Sequence, residues 1–109
     1  MQTDFGFYPQ GDPEKNLIQK LKSFGIEIEH KFQERRGADI LPTFLDTILK
    51  NLHDLDKITK KHELKNKISN LDTIITAATR YYLDSKYEDY YERVKVIADK
   101  LKNLEEIVL

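Results

Sequence analysis

The chain contains no cysteine. That absence excludes a disulfide scaffold, a thiol nucleophile and thiolate metal sites, and it is compatible with a reducing compartment. Proline and glycine are scarce, at three and four in 109 residues, and four of the seven fall before Lys15 as Gly6, Pro9, Gly11 and Pro13. Charge of one sign is missing as well: 18 basic against 19 acidic residues leave a formal net charge of -1, so no global attraction to nucleic acid or anionic lipid is expected. No stretch approaches the roughly 20 apolar residues of a membrane span, and Met1 to Pro13 has no basic region followed by an apolar run, so no secretory signal is read there. The expected compartment is the cytoplasm.

What is present is charge in abundance, 34% of residues, with apolar positions at helical spacing. A chain of this length is expected to form one domain that buries roughly 65% of its unfolded surface and so needs no staple. Residues 1–12 read as an irregular arm whose Phe5, Phe7 and Tyr8 can dock on the body. Asp12 is a good N-cap with Pro13 at the first helical position. Leu17, Leu21, Phe24, Ile28 and Phe32 then step by four, three, four and four, until Arg35, Arg36 and a positive-φ Gly37 end the helix.

A second helix is expected to start near Asp39 to Pro42, with Leu41, Leu45, Ile48, Leu52 and Leu55 on its buried face and Phe44 and Leu49 widening it. The next series, Leu64, Ile68, Leu71, Ile75 and Ala78, lies about 160–200° around from where that stripe would project, so either the chain turns between about Asp56 and Lys61, where Thr59 can cap a new helix, or one long helix changes the face it buries; two helices are expected. Ser85 and Glu88 form a Ser-x-x-Glu capping box before Tyr90, Val94, Ile97, Leu101, Leu104 and Val108. The resulting expectation is an all-α, antiparallel four-helix bundle, with helices at about 13–36, 40–56, 60–82 and 86–108.

With the third apolar series facing the core, His62, Asn66, Ser69, Thr73 and Thr76 share the opposite face. None carries a fixed charge, where solubility and helix propensity both favour Lys and Glu. Such a face predicts a docking surface. Tyr81, Tyr82, Tyr87, Tyr90 and Tyr91 flank the last turn, where tyrosines either cap a core or present a partner surface. The expected partner-contact residues are Ser69, Thr73, Tyr81, Tyr82, Tyr87 and Tyr91. His53, followed by Asp54, reads as a surface or boundary residue. Glu27-x-x-His30 has the spacing used by di-iron bundles, but it stands as one copy, so no metal or cofactor is expected. Ser, Thr and Gly show no nucleophile elbow or phosphate loop.

The segment His62-Glu63-Leu64-Lys65-Asn66 resembles the phosphoacceptor box of sensor histidine kinases, and residues 62–109 resemble the hairpin that dimerises in that family. The resemblance implies that His62 accepts a phosphoryl group, Glu63 takes its proton and Asn66 orients the ring. It also implies a homodimer, with Leu83 to Lys86 as the hairpin loop. Lys67 stands where many of those kinases carry proline, and residues 62–109 are expected to act without a nucleotide-binding domain, with the group coming from a donor protein. Lys57, Lys60, Lys61, Lys65 and Lys67 surround the histidine and would complement a phosphoryl donor or an acidic partner. The residues themselves, rich in apolar stripes and poor in catalytic constellations, predict a non-enzymatic protein–protein interaction module of adaptor or inhibitor type, self-associating and without nucleic acid. A histidine phosphotransfer protein is the alternative.

Overall fold

The structure is a computed structural model that describes residues 12–105. The aromatic residues of the N-terminal arm and Val108 lie outside the described residues. Four helices follow one another, α1 (Pro13–Gln33), α2 (Pro42–Ile58), α3 (His62–Leu83) and α4 (Tyr87–Lys102), with a short 3-10 turn at Gly37–Asp39 and no strand among the described residues. The two expected helices in the 40–82 region are thus separate. None of the described helices is long and apolar enough to cross a membrane.

Each helix contacts its two neighbours in a closed circuit, α1 with α2, α2 with α3, α3 with α4 and α4 with α1. The interior is made by the stripes the spacing marked: Leu21 and Ile28 from α1, Leu45, Ile48, Leu52 and Leu55 from α2, Leu64 through Ala78 from α3, and Tyr90, Val94, Ile97 and Leu101 from α4. Leu17, Phe24, Phe32, Phe44 and Leu49 are partly buried against it. Leu41 departs from its stripe. It is the N-cap of α2, held in extended backbone outside the helix, and stays 45% exposed, while Ile40 is buried in its place.

The helix ends correct several expectations. Asp12 does cap α1, its carboxylate accepting from the N–H groups of Glu14 and Lys15 at 3.0 and 3.3 Å. At the other end α1 stops at Gln33, and the residue with positive φ is Arg35, at 60°, rather than Gly37. Arg36 N–H donates to Lys31 O and Arg35 N–H to Phe32 O, which closes the last turn in the way a left-handed residue one position beyond the cap permits. Gly37 serves a different purpose, because the Phe32 ring lies so close that an added Cβ would sit 2.6 Å from its Cε1.

The α3–α4 connection repeats this closure. Ser85 has φ 61°, its N–H donates to Tyr82 O and that of Lys86 to Tyr81 O. Ser85 therefore belongs to the end of α3, and the expected capping box with Glu88 does not form: the N-cap of α4 is Lys86, without a side-chain bond. Thr59 likewise does not cap α3. It ends α2, is buried, and its hydroxyl accepts from Lys61 N–H at 3.2 Å across the turn. α4 stops at Lys102 rather than near 108, and Leu104 is buried from outside the helix.

Candidate functional site: the outward face of α3

α3 has Leu64, Ile68, Leu71, Ile75 and Ala78 buried, which leaves His62, Asn66, Ser69, Thr73 and Thr76 exposed along its whole outer side. Its flanks are tied to the neighbouring helices. On the α2 side Asp72 Oδ2 lies 2.8 Å from His53 Nε2, and Lys65 Nζ donates to Asp56 O. Toward α4, Lys67 Nζ donates to Leu104 O at 3.1 Å and Asn103 O at 3.4 Å, placing a cation on carbonyls at the end of that helix.

The two threonine hydroxyls of the stripe are already engaged. Thr73 Oγ1 donates to Ser69 O at 3.2 Å and Thr76 Oγ1 to Asp72 Oδ1 at 3.4 Å. The threonines thus offer methyl groups and remaining lone pairs, and covering them strands neither threonine hydroxyl proton.

The proposed phosphoacceptor residues fall at the start of the helix. His62 is the first residue of α3, exposed, with Lys61 as the N-cap. Asn66 is one turn further on the same face. Glu63 points aside, its side chain 88% exposed and 4.0 Å from Lys67 Nζ. Beside them the α3–α4 seam opens into two shallow hollows of about 490 and 470 Å³, which share Glu63, Lys67 and Asn103; Asn66 lines the first and His62 the second.

Three of the five lysines around His62 are not free charge. Lys61 Nζ lies 2.9 Å from Glu105 and 3.2 Å from Glu14, and these bonds raise its proton affinity above that of an ordinary lysine. Lys65 pairs with Asp56, and Lys67 sits on the α4 carbonyls. Lys57 and Lys60 are exposed as well. Each of the three partnerships joins residues nine or more positions apart, or bonds to main-chain oxygen, so none was visible in the sequence.

The five tyrosines do gather at one end. Tyr82 stacks edge-on with Tyr87 and Tyr90, Tyr90 with Tyr91, and Tyr91 with Phe32, at centroid separations of 4.9 to 6.3 Å. Tyr90 is wholly buried and its hydroxyl donates to Ile40 O at 2.8 Å. Burial, with Tyr91 and Tyr82 alongside, pushes its phenol well above the ordinary range, and burial does the same to Tyr91 more weakly. Tyr81, Tyr82 and Tyr91 pack partly against the core, with Arg93 over the Tyr81 ring, and Tyr87 stands 48% exposed. Tyr90 thus caps the interior, Tyr81, Tyr82 and Tyr91 cover it in part, and Tyr87 stands half-exposed beside them. His53 was the functional-looking contact missed by the sequence reading, since its partner Asp72 is on another helix. Among the described residues no cluster of three or more potential metal ligands occurs.

Compared with protein-family models, with curated proteins and with solved structures, the chain matches none.

Proposed function

We propose that this chain is a non-enzymatic interaction module that docks a protein partner on the outward face of α3. One observation carries the reading: five residues in a row along that face, His62, Asn66, Ser69, Thr73 and Thr76, are exposed yet carry no fixed charge, in a chain that is 34% charged. A surface serving only solubility is populated by Lys and Glu. We read the scaffold behind it as an antiparallel bundle, a reading supported by the three-residue connections between α2 and α3 and between α3 and α4.

The test compares capture of proteins from the native host by the wild-type chain and by a Ser69→Lys/Thr73→Glu variant. A partner retained by the wild type is expected to be lost from the variant while its helical circular dichroism is unchanged. Equal capture by both sinks the reading.

Phosphotransfer through His62 is a second reading, favoured by the exposure of the imidazole and by Asn66 sharing its face. It is weakened by the pairing of Lys61 and Lys65 with carboxylates, which leaves a smaller positive field for a phosphoryl donor than the sequence suggests. Small phosphodonors or phosphorylated receiver domains should leave an acid-labile, base-stable adduct that disappears in His62→Gln. No adduct with any donor removes this reading.

A further inference from the structure

Burial continues past the point where α4 stops. The helix ends at Lys102, yet Leu104 is 1% exposed, held in the interior from outside the helix. The main chain that carries it is weakly bonded: Asn103 N–H donates to Asp99 O at 3.2 Å and Leu104 N–H to Leu101 O at 3.3 Å, at the long edge of hydrogen-bond range. Two lysines from elsewhere in the sequence fasten it instead. Lys67 Nζ donates to the carbonyls of Leu104 and Asn103, and Lys61 Nζ lies 2.9 Å from the Glu105 carboxylate. Both lysines keep part of their side chains in solvent, where such ties are weak and yield to salt.

Residues 103–105 therefore form a strap with one apolar plug and two polar fastenings. Leu104 walls the hollow of about 470 Å³ in the α3–α4 seam, with His62 and buried Leu64 among the other lining residues. Lifting the strap has two consequences at this corner. It vacates the place of Leu104 beside Leu64, and it takes from Lys67 the carbonyls on which its ammonium rests and from Lys61 one of its two carboxylates. Lys61 keeps Glu14, at 3.2 Å, so Lys67 gains the more freedom.

We propose that residues 103–105 are a latch over the His62 corner of the α3–α4 seam, which opens as a local unit while the four helices stay packed. Closed, it fills the slot beside Leu64 and holds Lys67 on main-chain oxygen. Open, it uncovers that slot and frees the Lys67 ammonium one turn from His62. A segment at the end of a helix, with few main-chain bonds and solvent-exposed ties, belongs to the low-stability end of a fold. The latch does not depend on what docks on the outer face of α3, nor on phosphotransfer through His62.

Native-state hydrogen exchange followed by NMR at low urea reads the opening. The Asn103 and Leu104 amides are expected to exchange at least about a hundredfold faster than those of Val94 and Ile97, at a rate independent of urea. Lys67→Met should speed them about fivefold further and leave Val94 and Ile97 unchanged. A chemical readout follows the lysine itself. Under limiting acetic anhydride, Lys67 should be acetylated more slowly than Lys57 and Lys60 in the wild type, and severalfold faster in Leu104→Ser than in the wild type, with helical circular dichroism retained. Amides of residues 103 and 104 that exchange only with Val94 and Ile97, or Lys67 labelling that is the same with and without Leu104, overturn the inference. So does loss of helicity in Leu104→Ser, which would make Leu104 part of the bundle's core and not a latch.

Discussion

Gly25 is a residue where packing overrides propensity. It is buried in the middle of α1, where glycine costs a helix about 1 kcal/mol relative to alanine. A Cβ there would lie 2.8 Å from Ala98 O and 3.1 Å from Leu101 Cβ on α4, so the glycine allows α1 and α4 to approach. Gly25→Ala is accordingly expected to lower the unfolding free energy by about 1–3 kcal/mol in urea titration, and a gain in stability would mean that the helices are not so close. Tyr90 is the second such residue. Tyr90→Phe leaves the Ile40 carbonyl without its hydroxyl partner and should cost about 1–3 kcal/mol. The pH dependence follows in sign from the raised phenol. Because the folded state holds the Tyr90 proton more tightly than the unfolded one, that stability is full below about pH 10 and is lost as pH rises above it. Tyr90→Phe should therefore flatten the alkaline unfolding profile, and an unchanged profile would remove Tyr90 as its source. The place of Tyr90 on the buried stripe was legible from its spacing to Val94 and Ile97; its bond to a carbonyl 50 residues away was not.

At the scale of the element, the helices and the Asp12-capped start of α1 were legible, and the other helix ends mostly were not. The apolar spacing reports which side of a helix is buried, and every member of the α3 series from Leu64 to Ala78 is buried. Termination depends on which residue takes the left-handed conformation, and side-chain identity misdirected the choice: Arg35 and Ser85 adopt φ near 60° although Gly37 was available nearby. Holding an L-residue there costs roughly 1–2 kcal/mol relative to right-handed backbone, a cost glycine avoids. Arg35→Gly and Ser85→Gly are therefore each expected to raise stability, by up to about 1 kcal/mol after glycine's extra unfolded-state entropy. Gly37→Ala should lower it by driving a methyl group into the Phe32 ring. Thermal melts of the three variants decide this, and a loss at Ser85→Gly would contradict the assigned turn. The break after α2 has neither glycine nor proline; buried Thr59, bonded to Lys61 N–H, marks it instead.

For the whole molecule, the neutral face of α3 and the stability of the bundle are separable. The core lies on the other side of α3, and Ser69 and Thr73 are exposed, so Ser69→Lys/Thr73→Glu is expected to change unfolding free energy by no more than about 0.5 kcal/mol per site while abolishing docking. A large loss of stability would make the face structural. Lys61 joins distant parts of the chain, binding Glu14 at the start of α1 and Glu105 after α4 from the turn between α2 and α3. These contacts are exposed and are screened by salt, so they orient the ends of the chain more than they stabilise it. Their consequence for function is larger, because they pair with carboxylates part of the charge that made the surroundings of His62 look basic.

The sequence by itself determined the four helices, the face each one buries and the uncharged outer side of α3, because helical periodicity is a local property written within a few residues. Only the tertiary structure decided which groups meet across it. The His53–Asp72 contact, the Tyr90–Ile40 bond, the approach at Gly25 and the partners of Lys61 and Lys67 all join separate elements of the fold. Such contacts depend on how the helices are set against one another, and that setting comes from interlocking side chains of all four, a property no single segment carries.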